Sequence, residues 1–343
     1  MTLEKWYPHS MNRGYLGRGA RLIVLIFLCL PFFSCIQKKT ETKDIIVGFS
    51  QIGAESAWRN CNTRSVQDAA AEAGIQLLFF NAEQKQESQI KAIRSFIAYQ
   101  VDVIAFVPIV SDGWENVLEE ARVAGIPVLI CDREIKIDED LYAGYLGTNM
   151  LQEGRSAAEF LLKKFIDPDT GKLPPDRKSV KIVEMQGTEG SSPAIYRAQG
   201  FRDVLADYPE FKIIYSESGD FLRSRGYELM CDIMDNPELQ DIDVIYSHND
   251  SMTLGALDAM KERGIKPGKD IVIISIDAEQ AAIDALKRGE INCVVECNPK
   301  QGPDIMRLAG SLARKESIPR IIFMNEEVFT EWDDLSNIAP RGY

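Results

Sequence analysis

A chain of 343 residues with 45% hydrophobic content and well-mixed charge is globular and too long for one ordinary core, so two domains are expected. Its formal net charge of −13 at pH 7 excludes a nucleic-acid binder, because phosphate backbones demand a basic footprint. The first 34 residues hold four basic groups (Lys5, Arg13, Arg18, Arg21) and one acid (Glu4), so without them the charge is −16.

The chain opens with a basic region, Arg13 to Arg21, followed by the apolar run Leu22–Leu30. That run is too short for a comfortable membrane span of roughly 20 residues and has the length of a secretory signal core. It ends at Phe32-Phe33-Ser34-Cys35, and the polar stretch from Gln37 to Lys43 follows. Residues 1–34 therefore read as a signal peptide and 35–43 as a tether. A cysteine directly after the cleavage point resembles a bacterial lipobox, which makes Cys35 the expected site of lipidation. Phe32 and Phe33 stand where that pattern has Leu and a small residue. A signal anchor or an ordinary cleaved signal fits the same residues; small Ser34 and the polar linker favour the lipid anchor.

Beyond residue 43, short β-branched runs alternate with amphipathic stretches. Ile45–Phe49, Gln76–Phe80, Val103–Val107 and Pro127–Cys131 read as strands. Between them, Ala57–Ala73, Ser88–Tyr99 and Trp114–Ala124 read as helices, with Ile90, Ile93, Phe96 and Ile97 at helical spacing in the second. The pattern then repeats. Lys181–Met185, Lys212–Tyr215, Val244–Tyr246 and Ile271–Ile276 are the later strands, and Glu153–Phe165, Ala194–Ala206, Arg223–Met234 and Met252–Arg263 the helices among them. Such alternation predicts an α/β fold of doubly wound parallel sheets, with near-continuous apolar strands covered on both faces.

Five cysteines follow Cys35: Cys61, Cys131, Cys231, Cys293 and Cys297. Cys293 and Cys297 read as one strand, which puts their Cα atoms roughly 13 Å apart and beyond disulfide reach. No metal motif appears, and all five read as small buried apolar residues.

In open parallel sheets, ligands bind outside the carboxyl ends of the strands. That is where the unusual polar residues fall. Glu55-Ser56-Ala57-Trp58-Arg59 follows the first strand, Asp132-Arg133 the fourth, and Asp277 the last. The later strands also lead to Gln186-Gly187-Thr188 with Arg197 beyond, to Gly219-Asp220-Phe221, and to His248-Asn249-Asp250. Glu55, Asp132, Asn249 and Asp277 supply acceptors; Arg59, Arg133 and Arg197 supply planar donor forks; Trp58 and Phe221 supply aromatic faces. That set suits a polyol ring, whose hydroxyls pair with charged groups and whose C–H faces need an apolar platform. Asp250 reads as the N-cap of its helix. Asp132-Arg133 also reads as a simple loop ion pair when taken alone.

Enzyme readings fare poorly. His248 is the only histidine past the signal, and no H-E-x-x-H or G-x-S-x-G motif appears. Asp132 and Asp277 could serve a glycosidase as paired carboxylates, but the arginines favour holding a sugar over cleaving one. No catalytic residue, metal ligand or cofactor is expected.

The segments VGFSQIGAESAWR (47–59), QKQESQIKAIRSFIA (84–98) and VLICDRE (128–134) resemble the type I periplasmic sugar-binding proteins. So do VEMQGTEGSSPAIYRAQGF (183–201), SGDFLRSRG (218–226), YSHNDSMTLGAL (246–257) and KPGKDIVIISID (266–277). The first two segments bring the chain nearest to the galactofuranose-binding branch. The resemblance implies two lobes joined by a three-crossing hinge, with crossings near 147–150, 297–299 and 325–327. The lobes would be 44–148 with 299–325, and 149–298 with 326–343. It also implies sugar contacts at Glu55, Trp58, Arg59, Asp132, Arg133, Arg197, Phe221, Asn249 and Asp277. A monomer holding a monosaccharide, partnered by an ABC permease and its ATPase and anchored in the cell envelope or periplasm, is the expectation. A sugar sensor feeding a chemotaxis or kinase partner is the alternative. Cys297 stands where ribose binders have Gln, which weighs against a pyranose pentose.

Overall fold

The structure is a computed structural model and describes residues 44–239 and 241–343. The expected signal peptide and the expected lipidation at Cys35 fall outside the described residues. No described helix is long and apolar enough to cross a membrane.

In chain order the first half comprises β1 (Ile46–Gln51), α1 (Ala57–Glu72), β2 (Gln76–Asn81), α2 (Gln86–Tyr99), β3 (Val103–Phe106), α3 (Glu115–Val123), β4 (Val128–Asp132) and β5 (Gly144–Gly147). Then follow α4 (Met150–Phe165), β6 (Val180–Gln186), α5 (Ser192–Leu205), β7 (Phe211–Ser218), α6 (Arg223–Asp235), β8 (Val244–Ser247), α7 (Asp250–Glu262) and β9 (Val272–Asp277). The last elements are α8 (Gln280–Lys287), β10 (Cys293–Glu296), α9 (Gly302–Ala313), β11 (Ile321–Phe323) and β12 (Val328–Thr330).

These strands form two six-stranded sheets, ordered β11-β5-β4-β3-β1-β2 and β12-β10-β9-β8-β6-β7. Every pairing is parallel except β10 with β12. Alternation along β3 explains its unbroken apolar run. Val103 and Ala105 pack under α1 and α9, while Ile104 and Phe106 face α2 and α3. The second sheet is built the same way, with Ile245 on one face and Val244 and Tyr246 on the other. Full burial of each such Val, Leu or Ile side chain contributes roughly 1.5–3 kcal/mol.

The chain passes between the sheets three times: between β5 and α4, between β10 and α9, and between β11 and β12. Both sheets therefore point their carboxyl strand ends at one cleft, with the crossings along one side. Two sequence readings need correction. Cys231 is only partly buried and accepts from Arg263 Nη1 at 3.1 Å, so it is not a core residue; the other four are buried. Cys297 sits one residue past β10 rather than within it.

Candidate functional site

The first lobe brings three charged groups together at the ends of β1 and β4. Ser56 caps α1 by accepting from Arg59 N at 3.0 Å. The cap turns Arg59 inward, where Nε donates to Glu55 Oε1 at 3.0 Å and Nη1 to Asp132 Oδ2 at 2.8 Å. Burial works against the Arg59 charge, but Asp132 and Glu55 more than offset it and raise its pKa. Asp132 pairs with Arg59, so it is not in a loop ion pair with the neighbouring Arg133. Arg133 donates to Ile109 O at 2.9 Å and lies over the Phe221 ring, 5.3 Å from its centroid. Burial, then repulsion from Arg59, pulls the Arg133 pKa down to about 10. A cation with one acceptor among the described residues and a depressed pKa has donors left for a ligand.

The second lobe answers from α5, α7 and β9. Pro193 fits the first turn of α5, where no N–H is required. Arg197 donates from Nε to Glu153 Oε2 at 2.6 Å and from Nη1 to His248 O at 2.5 Å, and its Nη2 lies 3.7 Å from Asp277 Oδ1. Burial pushes Asp277 well above its usual range despite Arg197, with Asp250 and Glu279 adding to the rise. Asn249 caps α7 by accepting from Met252 N at 3.0 Å, and its amide donates to Phe221 O at 3.2 Å. The cap is thus Asn249 and not Asp250. Asp250 is the first helical residue, fully buried, accepting from Ser275 Oγ and from Glu279 N. His248 is buried too, its ring paired with Glu184 and its pKa lowered by burial.

Several of these residues hold backbone that side chains disfavour. Asp132 (φ 60°), Phe221 (φ 61°), Asp277 (φ 125°) and Ala278 (φ 64°) all sit at positive φ. Such conformations cost about 1–3 kcal/mol each and cluster where a fold aims side chains at a ligand. The Phe221 ring also needs a glycine beneath it: a Cβ on Gly187 would stand 1.8 Å from the ring.

Glu55, Trp58, Arg59, Asp132, Arg133, Arg197, Phe221, Asn249 and Asp277 line a single cavity. Ser56, Met150, Pro193 and Cys297 complete the wall. Among the cavity-lining residues, one buried acceptor, Glu55 Oε2, has no hydrogen-bond partner. The cavity therefore offers a ligand hydroxyl a free carboxylate oxygen and arginine donors, set against Trp58, Phe221, Met150 and Pro193. Trp58 serves the wall from an unexpected position, because its ring packs in the core of the second lobe.

Below the floor, Glu153, Cys297 and Glu326 place donor atoms within 4.8 Å of one another, the one group among the described residues able to surround a cation. Arg197 already supplies positive charge there through Glu153. Burial, with Glu153 adding, pushes Glu326 up to about 10 from its ordinary 4.5. A carboxyl with a raised folded pKa contributes stability that is full below its unfolded pKa and is lost as pH rises through the folded one. Wild-type protein without ligand should thus lose stability relative to Glu326→Gln as pH goes from 5 to 9. Urea midpoints of both at several pH values check this; parallel curves would contradict it.

Two lobes with parallel sheets, a three-crossing hinge and one polar cavity between them define a two-lobed solute-binding protein. Residues 47–317 match the periplasmic binding protein domain, and the chain belongs to that family. The galactofuranose-binding protein YtfQ of Escherichia coli (strain K12) is 42% identical over 262 residues, 76% of this chain and 79% of that protein. A Mycobacterium smegmatis protein solved in complex with β-D-fucofuranose superposes with a TM-score of 0.79 at 41% identity, covering 84% of this chain and 91% of its own. The periplasmic component of the arabinose ABC transporter from Shewanella sp. ANA-3, solved bound to α- and β-L-arabinofuranose, gives 0.77 at 40% identity, covering 83% and 92%.

Proposed function

We propose that the chain is the solute-binding component of an ABC sugar importer, closing its lobes over one monosaccharide in furanose form and presenting it to a permease. The carrying observation is convergence: charged and aromatic side chains from six strand ends meet in one cavity. The lobes are 44–148 with 299–325, and 149–298 with 326–343, and the nine residues named from the sequence are the sugar contacts. Relatives of about 40% identity bind furanoses, which supports galactofuranose first, and one belongs to a transporter, which favours import over a sensor role. The same relatives are binding proteins, in keeping with a chain that holds its sugar without cleaving it. Family membership places the protein in the periplasm.

Calorimetry with galactose, arabinose, glucose and ribose tests the reading. Galactose or arabinose should bind tighter than glucose or ribose. Tightest binding to glucose, or no binding to any sugar, would contradict it. Anchoring is tested separately. Cys35→Ala should release the protein to a soluble fraction and abolish palmitate labelling, whereas unlabelled, soluble wild-type protein would remove the anchor.

A further inference from the structure

Asp277 faces the cavity from a turn that its own backbone disfavours. It and Ala278 hold φ at 125° and 64°, and helix α8 begins just beyond, at Gln280. Residues with a Cβ keep such backbone only where their surroundings hold it. Little in the turn itself does so. Glu279, the residue before α8, makes no side-chain cap, so the opening N–H groups need acceptors from elsewhere. Asp250 of α7 supplies one: its Oδ2 accepts from Glu279 N at 2.6 Å, while its Oδ1 accepts from Ser275 Oγ on β9.

The other contacts come from residues 341–343, far along the chain. Gln280 N donates to Tyr343 O at 2.6 Å, and Arg341 N donates to Gln280 Oε1 at 2.9 Å. The Tyr343 hydroxyl donates to Asp277 O at 3.0 Å and accepts from Arg341 Nη2 at 3.3 Å. Asp277 O has one further donor, Cys297 N, at 3.3 Å. Arg341 is tied to the Glu296 carboxylate at the end of β10, and the Tyr343 ring packs against the core of the second lobe. Gly342 between them stands at φ 79°, which a side chain would disfavour, and turns both polar groups of Tyr343 toward Asp277 and Gln280. All of these groups belong to the second lobe, so the arrangement does not depend on how far the lobes stand apart.

We infer that residues 341–343 form a strap that fixes the strained turn, with Tyr343 a positioning residue that aims the Asp277 carboxylate into the cavity. Tyr343 itself lies outside the cavity wall. Releasing the strap lets Asp277 and Ala278 relax toward negative φ, which swings the carboxylate off its line. A ligand then binds only the molecules whose turn is in place, and its affinity falls in proportion. The affinity readout rests on the sugar-binding reading, whereas the state of the turn does not.

Tyr343→Phe is the test variant, because it keeps the ring against the core and deletes only the hydroxyl. It and wild type are compared well below the melting transition, by amide hydrogen exchange without sugar and by calorimetry with galactose. Exchange at Glu279 and Gln280 should quicken about fivefold, as for the loss of one ordinary hydrogen bond, with the far end of α8 unchanged. Galactose should bind about fivefold more weakly. A role in folding alone would lower the melting temperature and leave the affinity of the folded protein as it was. Adding Ala278→Gly places at φ 64° a residue that adopts it without strain, and should return most of the lost affinity. Wild-type exchange at Glu279 and Gln280 overturns the strap whatever the affinity. Where wild type binds galactose, so does an unchanged affinity in Tyr343→Phe, or a loss that Ala278→Gly leaves in place. Faster exchange in the variant together with no galactose binding by wild type upholds the strap and removes the sugar reading instead.

Discussion

Replacing Arg133 or Asp277 with alanine is expected to weaken galactose binding by about 2–5 kcal/mol, the usual cost of leaving buried charged partners unpaired. Each faces the cavity from a different lobe. Arg133 has one hydrogen bond to protein among the described residues and a charge that burial disfavours, so ligand hydroxyls would be its main acceptors. Asp277 sits at the end of β9 on strained backbone, its carboxylate 3.7 Å from Arg197. Burial disfavours the charged form of both groups, so losing either side chain removes little stabilisation and the ligand-free melting temperature should change little. Calorimetry and thermal unfolding of both variants check the two halves of this statement. Wild-type affinity in both variants would mean that the ligand lies elsewhere.

Gly154→Ala should damage stability and binding together. Helices α4 and α5 touch backbone to backbone at this point, where a Cβ on Gly154 would lie 2.2 Å from Arg197 O. A carbonyl cannot swing aside as a flexible side chain can, so the helices must separate. Overpacking of this kind costs about 1–3 kcal/mol, or roughly 2–4 °C in melting temperature per kcal/mol for a domain of 150–250 residues. The same shift moves Arg197 away from Glu153, now 2.6 Å apart, and so misplaces a donor in the cavity wall. Thermal unfolding and calorimetry of the one variant should both report a loss. A wild-type melting temperature would show that the helices can part at no cost.

The parallel sheets were legible because their strands are apolar on both faces and their helices amphipathic. The cavity was legible because charged residues directly after buried strands have few structural reasons to be there. Glu55, Asp132 and Asp277 carry that signal. Other parts gave less. Strand β5 has glycine at both ends, and β11 is three residues long with Ile321 and Phe323 exposed, so neither shows alternation. Helices α8 and α9 do carry apolar spacing, at Ala282, Ile283 and Leu286 and at Ile305, Leu308 and Ala309, and periodicity would have found them. Met150 and Pro193 look like any core residues, and only the assembled fold shows that they face a cavity. Glu153 and Glu279 read as surface glutamates until the helices that bear them are seen packed against the hinge and the facing lobe. Trp58 was singled out as an aromatic platform, but nothing in the sequence reveals that its ring crosses to the other lobe.

The central claim is that a furanose sugar sits between the lobes, held by these nine residues. A crystal structure of the protein grown with galactose tests it most directly, because both the ring form and the contacts are read at once. The account predicts a five-membered ring enclosed by both lobes, with hydroxyls on Arg133, Asp277 and the free oxygen of Glu55. A six-membered ring, or a sugar bound outside the cavity lined by those residues, would contradict it.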